Sequence, residues 1–271
     1  MKTKNKINFL PLLAAMVSLS SCVPHMYHIP SAHNVPLLKE KNECRASGSV
    51  GMGLAGAFGA TASNEVQAAY AVTNHIGVFA NFMSAIQEPD NGFAKESYLD
   101  AAIGYYTPIG RFGVFEFYGG MGSSRQHHGY DTYDLYGNFI HTDKVRISYV
   151  KPFFQPSIGF ASNVFDIAFS ARVSELFFKI GKADTVNGFK QYHDLDREFA
   201  SRDIRYMYSF IEPAITLRAG WKYVKLQLQA QYSYSLDGIE HSDIFEIMHI
   251  SAGLSFNLTK RFWKDALKKK D

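Results

Sequence analysis

A histidine and a serine lie two residues apart near the C-terminal end of the chain, at His249 and Ser251. If this segment is a strand, both side chains project from one face, and the imidazole could take a proton from the hydroxyl group, as a general base does for a nucleophile. No third residue that would orient the histidine can be identified. A membrane-embedded hydrolase is therefore one hypothesis, and a histidine that is merely hydrogen-bonded in a polar interior is the commoner explanation.

Two polar segments, 125–143 and 180–204, also carry side chains that could act in catalysis or binding. Carboxylates and histidines in surface loops can act together in proteolysis, and the residues of that kind are His127, His128, Asp131, Asp134, His193, Asp194 and Asp196. The first segment also suits the binding of an extracellular glycan or protein by stacking and hydrogen bonds. The residues that would form this binding loop are Arg125, His127, His128, Tyr130 and Tyr133.

The elements that would position these residues are strands. Apolar and polar side chains alternate most clearly from Val224 to Leu236, and the same period of two recurs along the chain. Successive side chains of a strand point to opposite faces, so each segment has one apolar and one polar face. Most of these segments are long enough to cross a bilayer. We predict ten strands, near 46–58, 65–73, 76–87, 96–107, 111–124, 144–161, 164–179, 205–219, 222–236 and 245–258.

The connections between these strands alternate in length. Short turns follow the even-numbered strands, whereas longer links, such as 88–95, follow the odd-numbered ones. Short turns at one end and long loops at the other are typical of outer-membrane barrels. The sequence therefore predicts an all-β fold, a ten-stranded antiparallel up-and-down transmembrane β-barrel with short periplasmic turns and longer extracellular loops.

The polar face of the strands is rich in Gly, Ser, Ala, Gln and Asn, whereas a water-facing surface would carry more Lys and Glu. Its few charges are nearly balanced, which is what a narrow polar lumen requires, because buried charges must be paired. We therefore expect the apolar face to contact lipid. The charge network expected inside the lumen consists of Asp100, Glu116, Asp166, Arg172, Glu212 and Arg218.

The N-terminus has the form of a secretion signal. A basic start at Lys2 is followed by an apolar run, 7–19, and then by Leu19-Ser20-Ser21-Cys22, which resembles the bacterial lipobox. That motif implies cleavage before Cys22 and acylation of this residue, and acyl chains give a durable anchor. No acidic residue follows Cys22 closely, in agreement with an anchor in the periplasmic leaflet of the outer membrane.

The predicted domain organisation has four parts. Residues 1–21 are the lipoprotein signal peptide, 22–43 a lipid-anchored tether, 44–258 the barrel and 259–271 a basic periplasmic tail. The tether contains three prolines and little periodicity, which is typical of an extended linker. His25, His28 and His33 lie on it without a nearby cysteine or carboxylate, so no metal site is predicted. Cys44 is expected to be unpaired.

Several stretches of the chain resemble a known group of proteins. The segment Ser251–Leu258 is similar to the C-terminal signal of outer-membrane barrels, which implies contact with the barrel-insertion machinery. More broadly, the mature chain resembles the uncharacterised outer-membrane β-barrel lipoproteins of Bacteroidota, well over its first half and loosely over its second. This resemblance implies location and fold, but no reaction. The matching stretches are Asn34–Leu38 with Glu43, Ala69–Ile76, Gly104–Thr107 and Glu116–Gly120.

Composition excludes several functions. The formal net charge is +3, without the broad basic surface that nucleic-acid binding needs. No nucleotide or phosphate motif appears, so no cofactor is expected. We interpret the chain as a non-enzymatic barrel with a structural or surface-binding role and a lumen filled by side chains. Its expected partners are outer-membrane lipids and an extracellular glycan or protein, and a narrow transport pore and a hydrolase remain the alternatives.

Overall fold

The computed structural model describes residues 26–55, 59–89, 92–134, 136–180, 207–237 and 245–258. All regular structure in these ranges is β-strand, and none of their residues belongs to a helix that could span a membrane. The strands are β1 Cys44–Ala55, β2 Gly59–Ala71, β3 Ile76–Gln87, β4 Gly92–Ile109, β5 Gly113–Tyr133, β6 Phe139–Ala161, β7 Phe165–Ile180, β8 Met207–Gly220, β9 Val224–Tyr232, β10 Tyr234–Ser235 and β11 Met248–Leu258.

The strands form a closed barrel. Each strand from β1 to β8 pairs antiparallel with the next, β8 pairs with both β9 and β10, and β11 pairs with β9 and β1. Strands β9 and β10 are one barrel strand interrupted at Ser233, whose amide still donates to the Ile247 carbonyl at 2.7 Å. The prediction of a ten-stranded antiparallel barrel is therefore confirmed. Closure leaves no strand edge, so the ladder hydrogen bonds are made within the sheet.

The apolar face points outward. Along β9, Leu226 and Leu228 are 54% and 46% exposed, whereas Gln227 and Gln229 between and beside them are 1% and 2% exposed. The same alternation continues around the barrel, where Val66, Leu99 and Met121 are exposed. An exposed apolar band on a closed barrel is stable against lipid and unfavourable in water. The orientation predicted from the alternation is confirmed.

The two ends of the barrel differ. Tight turns at 72–75, 110–112, 162–164 and 221–223 lie at one end, the short-turn end, where β1 also begins. At the opposite, long-loop end, β5 and β6 extend as one hairpin to a turn at 134–138. The segment 125–143, predicted to be a loop, therefore belongs mostly to strands, with 125–133 in β5 and 139–143 in β6, because the alternation continues beyond the apolar band with polar side chains on both faces.

The lumen is filled by the chain's own N-terminal segment. Residues 26–38, here called the plug, are buried without forming a regular strand, and Val35 and Leu38 are 0% exposed. Over this stretch the chain is not the external tether that its prolines suggested. It lies inside the barrel because the polar lumen offers its backbone the hydrogen-bond partners that a buried irregular segment needs. Residues 22–25 lie outside the described residues.

Candidate functional site

The plug enters the lumen from the short-turn end. Its last residue, Leu38, donates its amide to Glu116 Oε1 on β5 at 2.9 Å. Three residues earlier in the plug, the Val35 carbonyl accepts a hydrogen bond from Arg218 Nη2 on β8 at 2.8 Å. Asn34 Nδ2 donates to Asn81 Oδ1 on β3 at 2.8 Å. Three different strands therefore hold this part of the plug, and each contact satisfies a group that would otherwise be buried without a partner.

The middle of the plug is held by side chains that imitate a strand partner. The amide of His33 donates to Gln229 Oε1 at 2.6 Å, and Gln229 Nε2 donates back to the His33 carbonyl at 2.9 Å. The Ala32 amide donates to the Glu65 carboxylate at 3.1 Å. Arg172 Nη1 donates to Ser31 Oγ at 3.2 Å. Because these contacts come from β2, β7 and β9, the plug is anchored on opposite sides of the barrel.

A buried ion pair meets the plug at His28. Lys151 Nζ on β6 lies 2.9 and 2.8 Å from the two carboxylate oxygens of Glu212 on β8, and both side chains are almost fully buried. His28 Nε2 lies 3.2 Å from Glu212 Oε1, and His28 Nδ1 lies 3.3 Å from the Tyr149 hydroxyl. The pair therefore binds the plug as well as compensating its own charges, as a buried pair must.

The first described residues lie at the long-loop end. The Met26 amide donates to Gln87 Oε1, at the end of β3, at 2.9 Å. The Tyr27 and Tyr130 hydroxyls are 2.5 Å apart, and His28 forms a bridge with Phe245. The plug therefore runs the length of the lumen, and Met26 lies at the end opposite to β1.

Apolar contacts complete the seal. Near the short-turn end, Val35 and Leu37 pack with buried residues of β5, β6 and β7. Leu38 packs with Ala71 and Tyr106. At the other end, Tyr27 and Ile29 join an apolar cluster. The wall residues of that cluster are Met83, Ala85, Tyr98, Ile147, Tyr149, Leu176, Phe210 and Phe245.

All six residues of the expected lumen charge network are buried in the barrel, but they do not form one network. Asp100 pairs with Arg172 at 3.6 Å between their charged atoms. Glu212 pairs with Lys151, as described, and Asp166 pairs with Lys225 at 2.5 Å and with Arg45 at 3.4 Å. Glu116 and Arg218 bind the plug backbone rather than an opposite charge.

Several lumenal residues that bind their neighbours were not predicted from the sequence. Glu96, buried on β4, accepts hydrogen bonds from Ser124 and Tyr149 at 2.6 Å each, and from Gln126 at 3.0 Å. Lys151 and Lys225 also lie in the lumen and were not part of the expected charge network. Their alternation with apolar neighbours was the signal that could have placed them, because both occupy odd positions, which face the lumen along β6 and β9.

The pair His249 and Ser251 does not form a catalytic arrangement. His249 Nδ1 lies 2.8 Å from Glu246 Oε1, and Nε2 lies 3.1 Å from Glu65 Oε1 and 3.3 Å from Ser63 Oγ. Both ring nitrogens therefore lie at hydrogen-bond distance from carboxylates, and in the described ranges neither nitrogen is hydrogen-bonded to Ser251. The hydrolase hypothesis based on Ser251 therefore loses its general base.

The expected binding loop is divided between the two faces of β5. Arg125 and His127 point outward and are exposed. His128 and Tyr130 point into the lumen, where the His128 ring stacks on Tyr27 with centroids 4.8 Å apart. Tyr133 is exposed close to the hairpin turn. These residues therefore do not form one binding surface. His193, Asp194 and Asp196 lie outside the described residues.

A polar basin opens at the short-turn end. Its volume is about 430 Å³, and charges of both signs line it, including Lys39, Glu43 and Arg45. Lys39 Nζ donates to the Ala161 carbonyl at 2.6 Å, and partial burial lowers the pKa of Lys39 below its ordinary value. The mixture of charges selects no particular ligand.

The described ranges contain no candidate metal-binding site. No group of three or more His, Cys, Asp or Glu side chains there is arranged to hold a metal ion. The plug histidines are used elsewhere, since His28 binds Glu212 and His33 Nδ1 lies 2.8 Å from Ser170 Oγ. His25 and Cys22 lie outside the described residues, and Cys44 is a free cysteine.

The closed antiparallel barrel with an apolar outer band is the architecture of outer-membrane proteins, and this chain is an outer-membrane barrel. No protein-family model matches the chain, and no curated protein matches it. Among solved structures it is similar to the outer membrane protease OmpT from Escherichia coli, with a TM-score of 0.44 and 9% identity over 80% of this chain and 97% of that one.

A second similar structure is the translocator domain of the autotransporter NalP from Neisseria meningitidis, with a TM-score of 0.48 and 9% identity over 83% of this chain and 90% of that one. A third is the transport unit of the autotransporter AIDA-I from Escherichia coli, with a TM-score of 0.31 and 9% identity over 84% of this chain and 93% of that one. Because one of these similar barrels is a protease, the expectation that the chain is not an enzyme is contradicted, and we withdraw it. At this identity the similarity concerns the fold and assigns no activity to the chain.

Proposed function

We propose that this protein is an outer-membrane lipoprotein whose barrel is a sealed sleeve for its own N-terminal segment. The sleeve carries that segment through the membrane and presents the chain N-terminus, acylated at Cys22, at the long-loop face. The observation that carries this proposal is the position of Met26, which lies beside Gln87 at the long-loop end while Leu38 lies beside Glu116 nearer the short-turn end.

The length of the plug agrees with this proposal. An extended chain spans at most about 3.3–3.6 Å per residue, so residues 26–38 can reach over about 40 Å. The apolar band of an outer-membrane barrel is about 25 Å tall, which this length exceeds. Four residues separate Cys22 from Met26 and span at most about 15 Å by the same measure. This reach favours an anchor on the long-loop side over the periplasmic leaflet expected from the sequence.

The seal favours presentation of the N-terminus over conduction. Side chains from both sides of the lumen contact the plug, and apolar clusters close it at both ends. Ions crossing such a lumen would have to displace the plug together with the wall residues that bind it. The narrow-pore alternative is therefore less favoured than the sleeve.

The experiment compares two sites for one epitope. A short epitope inserted between Pro24 and His25 should be recognised by antibody on intact cells. The same epitope inserted after Gly110, in a short turn, should be recognised only after the outer membrane is permeabilised. Recognition of both only after permeabilisation would refute presentation, and labelling with radioactive palmitate, compared between the natural protein and a Cys22→Ala variant, tests acylation separately.

A second experiment, on purified protein, tests whether the plug seals the lumen. The purified protein in planar lipid bilayers should show no steady conductance steps, whereas a variant lacking 26–38 should conduct if its barrel still folds. Heat-modifiable migration on gels reports that folding. Steady ion-selective steps from the intact protein would contradict the seal without bearing on the epitope result.

A further inference from the structure

We propose that the outer face of β4–β7 at the long-loop end is a docking site for the phosphate groups of a phosphorylated glycolipid in the surrounding leaflet. This inference rests on the membrane orientation proposed above. It is carried by a group of outward-facing basic side chains, here called the basic belt. Its members are Lys95, Arg125, His127, Lys144, Arg146 and Lys179, and all six are exposed.

The strand register brings the belt together. Lys95 on β4 is paired with His127 on β5, and His127 is paired with Arg146 on β6. Neighbouring strands are about 4.8 Å apart, so these three side chains form one row across the barrel wall. On the adjacent row, Arg125 is paired with Ser148, and Ser148 with Lys179 on β7.

The belt lies directly on the apolar band. One outward position below Arg125 and Lys179, the exposed apolar side chains are Leu99, Val150 and Phe177, with Ser123 between the first two. A side chain at that height faces lipid, so the next row faces the headgroups at the membrane surface. The continuity between the two rows indicates a membrane lipid, rather than a free phosphate, as the partner.

The positive charges of the basic belt are not balanced by carboxylates within it. Like charges that face each other across strands are destabilising, and the row from Lys95 to Arg146 places basic groups side by side. In the part of the chain that the structure describes, no carboxylate forms an ion pair with any of the six residues. The flanking outward acids in the described ranges are Glu88 just after β3, Asp131, which accepts a hydrogen bond from Thr142, and Glu175. A polyanionic headgroup supplies the missing charge.

The surface at the basic belt also contains a cavity. A cavity of about 270 Å³ lies at this height, with Phe93, His127, Lys144 and Arg146 in its lining. The Phe93 ring covers Gly129, where a Cβ atom would collide with it, and Lys95 Nζ lies 5.7 Å from the centre of that ring. An aromatic ring beside basic groups suits a sugar that carries phosphate, because the ring packs on the sugar while the cations bind the phosphate.

The test measures binding of fluorescent lipid A with two phosphates to the detergent-solubilised barrel. The variant Arg125→Gln/His127→Gln/Arg146→Gln should bind it at least about tenfold more weakly, since each Lys or Arg near an anionic lipid surface contributes a several-fold gain in affinity. A matched variant at the short-turn end, Lys41→Gln/Arg111→Gln/Lys222→Gln, should bind as the natural protein does. Dephosphorylated lipid A should bind the natural protein as weakly as phosphorylated lipid A binds the belt variant.

Three outcomes would overturn the proposal. They are unchanged binding by the belt variant, equal loss in the short-turn variant, and equal binding of the two lipids by the natural protein. Binding of inorganic phosphate alone with the affinity of the lipid would also overturn it, because the ligand would then be a free anion. Because the assay uses protein in detergent, its result is independent of the epitope and conductance tests, so failure of the belt and failure of the sleeve are distinguished.

Discussion

Replacing Glu212 with glutamine tests whether the buried pair at the centre of the lumen holds plug and wall together. The substitution keeps the size of the side chain and removes its charge. Lys151 Nζ then loses an ionic partner at 2.8 Å and retains His28 Nε2 at 3.4 Å. Its ammonium group is left buried without a compensating charge.

The expected cost follows from that uncompensated charge. Removing one member of a buried ion pair destabilises a protein by about 3–5 kcal/mol. Replacing both members by apolar residues of similar volume is often neutral or stabilising. We therefore expect Glu212→Gln to lose about 3–5 kcal/mol of unfolding free energy and Lys151→Met/Glu212→Leu to lose less than about 2 kcal/mol.

The assay is urea unfolding of the barrel in phospholipid vesicles, followed by tryptophan fluorescence. Glu40→Gln is the matched control, since Glu40 is exposed and its replacement should change the unfolding free energy by no more than about 0.5 kcal/mol. A loss below about 1 kcal/mol for Glu212→Gln, or a double variant less stable than the single one, would refute the reasoning.

Two further predictions concern the wall and the hairpin turn. A Cβ atom at Gly51 would collide with the His249 ring and Ser63 Oγ, so Gly51→Ala should cost about 1–3 kcal/mol in the same unfolding assay, while Gly119→Ala, with open space around its Cβ position, should be neutral. At the turn, hydrogen bonds from the Asn138 side chain and from the amides of Asn138 and Tyr136 lower the pKa of Asp134, so these contacts stabilise the turn at neutral pH and are lost as the pH falls through that lowered value. Asn138→Ala should raise the pKa of Asp134 towards its ordinary value in an NMR titration, and an unchanged titration would contradict this assignment.

The strands were predictable because a membrane barrel has a simple rule. Lipid contacts one face and the lumen the other, so the alternation from Val224 to Leu236 directly indicated orientation. Beyond the apolar band the rule weakens, since both faces can be polar. For that reason 125–133 was interpreted as a loop, although Gln126, His128 and Tyr130 still alternate inward.

The plug was not predictable from periodicity. Its partners lie on strands around the whole lumen, so its side chains have no single buried face and no repeat. One signal was present in its composition, because residues 23–38 contain no Asp, Glu, Lys or Arg. A linker exposed to water is usually charged, and sixteen uncharged residues before a barrel are more typical of a buried segment.

The charges in the lumen indicate that the plug belongs to the folded state. Glu116 and Arg218 bind backbone groups of the plug rather than opposite charges of the wall. Glu65 binds the Ala32 amide of the plug as well as His249 on the wall. Without the plug these three groups would keep Ser157, Gln227 and His249 on the wall as partners, but each would lose a hydrogen bond, at about 1.5–3 kcal/mol for a bond to a charged group. Release of the plug would therefore remove hydrogen bonds from the wall as well as from the plug. Only water that entered the lumen could replace them. A gate that opens in response to a ligand needs two states within a few kcal/mol of each other. The contacts of the plug lie around the whole lumen and would have to break together, so they favour a permanent sleeve over a gated pore.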